Sequence, residues 1–214
     1  MSRVEKFAKG KDSQSRKLPR NRLKFRDNVH TLDQIRKWQC NGLEAHELHQ
    51  RSTCNVVGFF GELSPLSNFH SVDIEIEGQH FPHVEKYYQL KKAELCRDVT
   101  SIARITLEDD PAAIKQIAKN ITTPEGLAPN FDEETLDGIM LTGLKAKFQN
   151  QHMKSVLLAT GFKRLAECSK DRHYGIGSLL HEEKWKDGTK WDGNNKLGIL
   201  LTKVRNELKW CVIL

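Results

Sequence analysis

Hydrophobic residues recur at two different periods along residues 55–210, and these periods predict two kinds of element. Val72, Ile74 and Ile76 alternate with polar residues, which is typical of a strand with one buried face. Residues 56–60 form a short apolar run that also indicates a strand, and His80 and Phe81 can pair back after a turn at 77–79. Elsewhere the apolar spacing is three and four, which predicts amphipathic helices. The clearest stripes are Leu136, Ile139, Met140, Leu144 and Phe148, then residues 152–159, then Leu197, Leu201, Val204 and Leu208.

Capping residues indicate where these helices begin. Asp109 or Asp110 precedes Pro111, and Asp132 precedes the longest stripe. Aspartate is a favoured N-cap and proline a favoured first residue, so both positions predict helix starts. Gly161 fits a helix end. Together the elements predict an α+β fold, a single mostly helical domain with a small β-sheet, over residues 55–214.

One further helix is expected to begin around Pro82, since a proline is tolerated in the first turn. On this helix Glu85, Tyr88, Gln89 and Lys92 are spaced i, i+3, i+4 and i+7, so they share one face. A carboxylate, a phenol, an amide and an amine make a poor core and a plausible site. The alternative is a solvated face with an ordinary Glu–Lys pair, and the helix alone leaves both interpretations open.

The net charge of +6 is unevenly distributed. Residues 1–54 hold 13 of the 34 Lys and Arg but only 6 of the 28 Asp and Glu, so the excess positive charge lies there. We expect residues 1–54 to be a basic N-terminal extension, partly disordered and separate from the domain at 55–214. Such an extension could bind nucleic acid or direct the protein to the nucleus, and a plain solubilising tail is the alternative.

Cysteine usage and hydropathy bear on the compartment. An odd number of scattered cysteines favours reduced thiols in a cytoplasmic or nuclear protein. They are Cys40, Cys54, Cys96, Cys168 and Cys211. No apolar run approaches the roughly 18 residues that span a bilayer, and residues 1–6 lack the apolar stretch of a secretory signal. We therefore expect no membrane association.

One group of potential metal ligands precedes the domain. Cys40, His46, His49 and Cys54 are spaced C-x5-H-x2-H-x4-C. This spacing matches no standard zinc module, and we expect no metal.

Two polar segments, 165–177 and 190–198, combine glycines with an aromatic residue and with Asp or Asn. Glycine permits close backbone approach, aromatic rings stack on bases, and Asp or Asn can bind hydroxyl groups. A pair of ordinary turns with aromatic plugs is the alternative on composition alone.

Four segments then occur in a fixed order: 61–69 (GELSPLSNF), 85–93 (EKYYQLKKA), 171–177 (DRHYGIG) and 191–198 (WDGNNKLG). In this order they resemble the NADAR family, the YbiA-like N-glycosidases, across about residues 55–210. The resemblance implies hydrolysis of the bond between a ribose and a base. Some members remove ADP-ribose from guanine in nucleic acid, and others cleave ribosylamino-pyrimidine phosphates of riboflavin synthesis. The resemblance implies no cofactor.

The chain departs from the usual family pattern at three positions. Lys86 stands where His is usual, His83 where Ser or Thr is usual, and Tyr174 where Trp is usual. Tyrosine keeps a stacking surface. The other two differences bear on the choice of substrate rather than on the type of reaction.

Cleavage of an N-glycosidic bond builds positive charge on the sugar, which a carboxylate can stabilise. Glu85 is the first candidate for this carboxylate and Asp171 the second. Lys92 could hold a phosphate or the departing base as a cation, or could attack the sugar carbon as an amine, and the sequence leaves both roles open. Expected substrate contacts are Phe60, Ser67, Asn68, Phe69, Tyr88, Gln89, Tyr174, Gly175, Gly177, Trp191, Gly193 and Asn195. Structural ion pairs are expected for Lys147, Glu167 and Arg205.

Together with the resemblance, these residues lead us to expect an N-glycosidase that removes ADP-ribose from ADP-ribosylated guanine in nucleic acid. The basic extension suits such a target. One alternative is hydrolysis of the riboflavin intermediates, and another is a non-catalytic module that binds ADP-ribose or a nucleotide.

Overall fold

The structure is a computed structural model that describes residues 53–210, apart from the side chain of Trp210. Nearly all of the basic extension, with Cys40, His46 and His49, therefore lies outside the described residues. Two short 3-10 helices, Glu183–Lys186 and Gly188–Lys190, precede the last helix. The strands are β1 (Val56–Phe59), β2 (Ile74–Ile76), β3 (Gln79–Phe81) and β4 (Arg164–Glu167). The helices are α1 (Val84–Leu95), α2 (Val99–Leu107), α3 (Pro111–Ala118), α4 (Glu133–Lys147), α5 (Gln151–Ala159) and α6 (Lys196–Trp210).

The fold is α+β, as the sequence predicts, but the described strands form two small pairs rather than one sheet. Strands β2 and β3 form an antiparallel hairpin in which Ile74 lies opposite Phe81. Its turn residues Glu77 and Gly78 both have positive φ, which matches the right-handed twist of a hairpin. The hairpin predicted at these residues is confirmed.

The second pair, β1 and β4, is parallel and places Phe59 opposite Glu167. Residues 165–177 have the composition of a polar segment, and their sequence does not predict this strand. A parallel pair needs a long crossover, and here the hairpin and five helices lie between the two strands. The pairing brings the C-terminal end of β4 next to the segment that follows β1.

Helix α1 lies at the centre of the domain and packs against α2, α3 and α4. Val84, Tyr87, Leu90 and Ala93 on α1 are buried in the main hydrophobic core. Since this apolar face fixes the rotation of α1, the face that carries Glu85 is turned toward the loops after β1 and β4.

Helix α1 begins two residues later than the sequence predicts. Its N-cap is His83, whose Nδ1 accepts a hydrogen bond from the Lys86 N–H at 3.0 Å. The backbone of His83 is extended, so Pro82 precedes the helix and is not in its first turn. The imidazole also bonds the Asp109 carbonyl oxygen at 2.9 Å, which ties the start of α1 to the start of α3.

Side-chain caps define the other helix starts. Asp110 accepts from the first backbone N–H groups of α3, and Asp132 accepts from the Thr135 N–H of α4, as predicted. Helix α2 was not predicted, because Val99 and Leu107 are exposed and obscure its apolar stripe. Within the described part of the chain, none of the helices is long and apolar enough to cross a bilayer.

Candidate active site

A cavity of about 300 Å³ lies between α1, the loop after β1 and the loop after β4. It contains ten of the residues expected from the sequence at the site: Phe60, Ser67, Asn68, Phe69, Glu85, Tyr88, Gln89, Lys92, Asp171 and Tyr174. It also contains Gly61, Lys115, Leu136, Met140, Glu167, Ser169, His173 and Leu197. One face of α1 thus meets the two loops that carry the other candidate residues.

Hydrogen bonds link the polar residues of α1 into a chain. Glu85 Oε1 accepts from Gln89 Nε2 at 2.8 Å, and Glu85 Oε2 accepts from Asn68 Nδ2. Gln89 Oε1 in turn accepts from Lys92 Nζ at 3.1 Å. Because Gln89 donates to the carboxylate and accepts from the amine, its amide is held in one orientation.

Burial shifts the pKa of Glu85 and the pKa of Lys92. Glu85 is only 2% exposed, and burial raises its pKa, opposed by the hydrogen bond from Gln89 and by the charges of Lys115 and Lys92. Burial also lowers the pKa of Lys92, opposed by the charge of Glu85. The amine of Lys92 is therefore more readily deprotonated than that of an exposed lysine.

Aromatic rings surround the Lys92 amine. Its Nζ lies 5.4 Å from the ring centre of Tyr88 and 5.3 Å from that of Phe131. Tyr88 packs edge-on against Tyr174 with ring centres 5.7 Å apart, and the Tyr174 hydroxyl donates to the Tyr88 hydroxyl at 3.1 Å. Burial raises the pKa of both phenols, so they are neutral hydrogen-bonding groups at neutral pH.

Asp171 lines the cavity, but its carboxylate shapes the loop. Oδ1 accepts from the backbone N–H groups of His173 and Tyr174 at 2.8 and 3.0 Å. Oδ2 lies 3.7 Å from Lys115 Nζ, which is also 5.7 Å from the ring centre of Phe69. Lys115 brings a cation to the cavity that the sequence analysis missed, since its position on α3 carries no local motif.

The loop that carries Asn68 is held by a buried lysine. Lys147 Nζ donates to the Ser67 carbonyl oxygen at 2.6 Å, and the Ser67 hydroxyl accepts from the Phe69 N–H at 3.2 Å. Lys147 is fully buried, and burial lowers its pKa to about 7. In the described residues no carboxylate lies within ion-pair distance of Lys147, so the expected ion pair is wrong.

Arg205 likewise departs from the expected ion pair. Its guanidinium is buried and donates to the Thr160 hydroxyl at 2.6 Å and to the Lys163 carbonyl oxygen at 2.9 Å. These neutral acceptors tie α6 to the turn after α5. Among the described residues its Nε makes no hydrogen bond.

Glu167 was expected to be structural, and the structure places it in the cavity instead. It is the last residue of β4 and is 8% exposed. Its Oε2 has no hydrogen-bond partner within residues 53–210. Burial raises its pKa to about 8. Only the parallel pairing of β4 with β1 brings it to this site, so no local sequence signal could have found it.

Five expected substrate contacts lie outside the cavity: Gly175, Gly177, Trp191, Gly193 and Asn195. Trp191, Gly193 and Asn195 line a second cavity of about 460 Å³. Trp191 donates its indole N–H to the Trp185 carbonyl oxygen at 3.2 Å, and the Arg164 guanidinium lies 4.7 Å from its ring centre. The indole therefore packs against Trp185 and Arg164 in the second cavity and does not line the cavity around Glu85.

The other four residues shape the backbone around β4. Asn195 donates to the Leu165 carbonyl oxygen at 2.7 Å and accepts from the Glu167 N–H at 3.1 Å. A side chain on Gly193 would place its Cβ 2.3 Å from the Gly175 carbonyl oxygen. Gly177 has a φ of +73°, which favours glycine. These contacts orient the end of β4, where Glu167 lies.

In the part of the chain that the structure describes, no three His, Cys, Asp or Glu side chains are grouped as metal ligands. The chemical groups of the cavity are three carboxyl groups, two amines, two amides, the imidazole of His173 and the rings of two phenylalanines and two tyrosines. Carboxylates and an amine beside aromatic rings are groups suited to acid–base or covalent chemistry on a small polar molecule that carries a planar ring.

Comparison with known proteins agrees with this fold. The family model of the NADAR domain matches residues 55–209, and the chain therefore belongs to the NADAR family. The solution structure of the Escherichia coli protein YbiA matches with a TM-score of 0.58 and 25% identity, over 76% of this chain and 91% of that one.

Two curated relatives show the range of names in the family. The N-glycosidase YbiA of Shigella boydii is 27% identical over 157 residues, which cover 72% of this chain and 88% of the relative. The maize "Riboflavin biosynthesis protein PYRR, chloroplastic" is 28% identical over 165 residues, which cover 73% of this chain but only 24% of that protein.

Proposed function

We propose that this chain is an N-glycosidase that hydrolyses the bond between a ribose and a base in the cavity around Glu85. Relatives named N-glycosidase, from Shigella boydii and from a mimivirus, support this reaction type. The observation that carries the proposal is the hydrogen-bonded chain from Asn68 through Glu85 and Gln89 to Lys92. These hydrogen bonds orient a carboxylate and an amine toward one cavity.

Glu85 stabilises the positive charge that develops on the sugar. In the transition state this charge is shared by C1′ and the ring oxygen, and a nearby carboxylate lowers its energy. The amides of Asn68 and Gln89 both donate to Glu85, so neither oxygen must reorganise as the charge forms. Removal of water from the cavity strengthens the interaction.

Lys92 takes part directly. Burial lowers its pKa, which favours the neutral amine that attack on C1′ requires. The amine nitrogen bonds to C1′ as the bond to the base breaks, and the electron pair of that bond leaves with the base. Opening of the sugar ring then gives a Schiff base, which water hydrolyses to free the sugar and restore the amine.

The aromatic rings and Lys115 bind the rest of the substrate. Phe60 is 38% exposed at the cavity, and with Phe69, Tyr88 and Tyr174 it offers flat surfaces for a base. Lys115 supplies a cation for a phosphate beside Phe69.

ADP-ribosylated guanine in nucleic acid is the substrate that we favour. The positive charge of residues 1–54 supports it, because a basic extension would attract a phosphate backbone. Such an enzyme would act in the cytoplasm or nucleus. The second candidate is a ribosylamino-pyrimidine phosphate of riboflavin synthesis, which the name of the maize relative favours.

A direct comparison of the two substrates tests the choice. Full-length protein is incubated with an oligonucleotide that carries ADP-ribosyl guanine and, separately, with the ribosylamino-pyrimidine phosphate, and the released sugar and base are measured. The proposal expects faster release from the oligonucleotide, and a rate that falls as salt is raised. Faster release from the pyrimidine would support the second candidate. Tight ADP-ribose binding with no release from either substrate would identify a non-catalytic binding module.

A further inference from the structure

Cleavage of an N-glycosidic bond leaves an electron pair on the departing base, and a proton delivered to the base lowers the barrier. The donor must face the cavity and hold a proton at neutral pH. Three carboxyl groups line the cavity: Glu85, Asp171 and Glu167. Their hydrogen bonds differ, and this difference distinguishes a proton donor from a carboxylate.

Glu85 is arranged as a carboxylate. Its two oxygens accept from the amide groups of Gln89 and Asn68. A carboxylate accepts both of these hydrogen bonds more readily than a protonated carboxyl group, because protonation removes one of its acceptor sites. The hydrogen bonds therefore favour the ionised form that stabilises a cationic sugar.

Asp171 is also arranged as a carboxylate. Its Oδ1 accepts from two backbone N–H groups, of His173 and Tyr174. Its Oδ2 faces Lys115 at 3.7 Å. One oxygen is thus bound to its own loop and the other faces a cation, so both are already engaged within the protein.

Glu167 is buried as Glu85 is, but it differs in its hydrogen bonds. It is 8% exposed, and its Oε2 makes no hydrogen bond with any described residue. Its backbone is fixed on both sides: the N–H donates to Asn195 Oδ1 at 3.1 Å, and the carbonyl oxygen accepts from the Ile176 N–H at 2.9 Å. The main chain thus holds Glu167 in the cavity wall, with one carboxyl oxygen that is buried and has no partner among the described residues.

The surrounding charges agree with a protonated Glu167. Its pKa is raised to about 8, mainly by burial and in smaller part by the carboxylates of Asp171 and Glu85. The charges of Lys115 and Lys147 oppose the shift without cancelling it.

We propose that Glu167 is the general acid that protonates the departing base, an assignment that rests on the N-glycosidase function proposed above. As Lys92 Nζ bonds to C1′, the bond between C1′ and the base nitrogen breaks, its electron pair stays on the base, and the carboxyl proton of Glu167 passes to the base. Glu167 is left ionised. When water later adds to the sugar carbon, the proton that the water loses returns to Glu167, so water is the only other reactant.

Two leaving groups on the same sugar test this assignment. One substrate is ADP-ribosyl guanine, whose leaving base needs a proton. The other is p-nitrophenyl ADP-ribose, whose leaving group, p-nitrophenolate, departs without a proton. Glu167→Gln should lose about 100-fold or more in rate on the guanine substrate and less than about 10-fold on the nitrophenyl substrate. Equal losses on both, or no loss on either, would overturn the assignment. Wild-type protein that cleaves neither substrate would overturn the N-glycosidase function and this assignment with it.

A second readout does not depend on turnover. The infrared spectrum of wild-type protein at neutral pH should contain the carbonyl band of a protonated carboxylic acid that Glu167→Gln lacks. Glu182→Gln is the matched control, because the Lys170 and Ser178 hydrogen bonds lower the pKa of this carboxyl to about 2 and keep it ionised. If wild type and Glu167→Gln show the same carbonyl bands, Glu167 is ionised at neutral pH. That result would contradict its role as the general acid. Circular dichroism checks that both variants are folded.

Discussion

The side-chain amide of Gln89 donates to the carboxylate of Glu85 at 2.8 Å, one helical turn along α1. The same amide accepts from Lys92, so it cannot rotate without losing both bonds. Because Gln89 lowers the pKa of Glu85 against the effect of burial, it helps to keep this buried carboxyl ionised.

Replacement of Gln89 should therefore move the pH dependence of the reaction. In Gln89→Leu the pKa of Glu85 rises, so the acid limb of kcat/KM should shift to higher pH. The rate at neutral pH should fall by about 10- to 100-fold, which corresponds to the loss of a hydrogen bond to a buried charge. The matched control is Gln116→Leu on α3, whose side chain is exposed and bonds Lys119. If the acid limb of kcat/KM lies at the same pH in Gln89→Leu and Gln116→Leu, the role of Gln89 is contradicted.

Trapping with borohydride tests whether Lys92 becomes bonded to the sugar. Reduction of the Schiff base should leave the mass of the sugar phosphate on wild-type protein and none on Lys92→Ala. Lys91→Ala is the control: Glu94 raises the pKa of Lys91, so this neighbour stays protonated and its loss should leave the trapping intact. Turnover without any trapped adduct would show that Lys92 acts only as a cation.

Substitution of two aromatic residues distinguishes the two cavities. Phe60→Ala should raise KM for the base-containing substrate by about 10-fold, since base stacking contributes about 1–3 kcal/mol. Trp191→Leu should leave KM unchanged and lower the free energy of unfolding by about 1–3 kcal/mol, because the indole packs between Trp185 and Arg164. A rise in KM for Trp191→Leu alone would place the base in the second cavity.

The buried lysine Lys147 should give the folded state a measurable pH dependence. Its pKa is about 7 in the folded protein against the ordinary 10.5, so between these values the unfolded chain binds the extra proton and stability rises with pH. Denaturant titrations should show that Lys147→Met lacks this gain, a difference in slope of about 1 kcal/mol per pH unit. Lys145→Met, at an exposed ion pair with Glu207, is the control. Parallel stability profiles for wild type and Lys147→Met would contradict a neutral Lys147.

Much of the fold follows from local sequence. The caps Asp110 and Asp132 predict the starts of α3 and α4, and alternation at 72–76 predicts the hairpin. Each signal depends on residues within one or two turns of each other, which a single sequence displays directly. The start of α1 was misplaced because histidine is an uncommon N-cap, and here its imidazole takes the acceptor role.

The site could be predicted only in part, for the same reason. The i, i+3, i+4, i+7 spacing places Glu85, Tyr88, Gln89 and Lys92 on one face, and the structure brings them to one cavity. Glu167 joins them through the pairing of β4 with β1, which depends on partners far apart in the chain. Trp191 does not line this cavity, because its indole packs against Arg164 and donates to the Trp185 carbonyl oxygen. Sequence composition cannot show these contacts.

The most direct test of the account compares base release by wild-type protein and by Glu85→Gln on ADP-ribosyl guanine. The variant keeps the size of the side chain and removes a buried charge, so thermal unfolding should confirm a folded protein. The account predicts release by the wild type and a loss of about 10²- to 10⁴-fold in the variant. Equal rates for the two folded proteins would show that Glu85 is not the catalytic carboxylate.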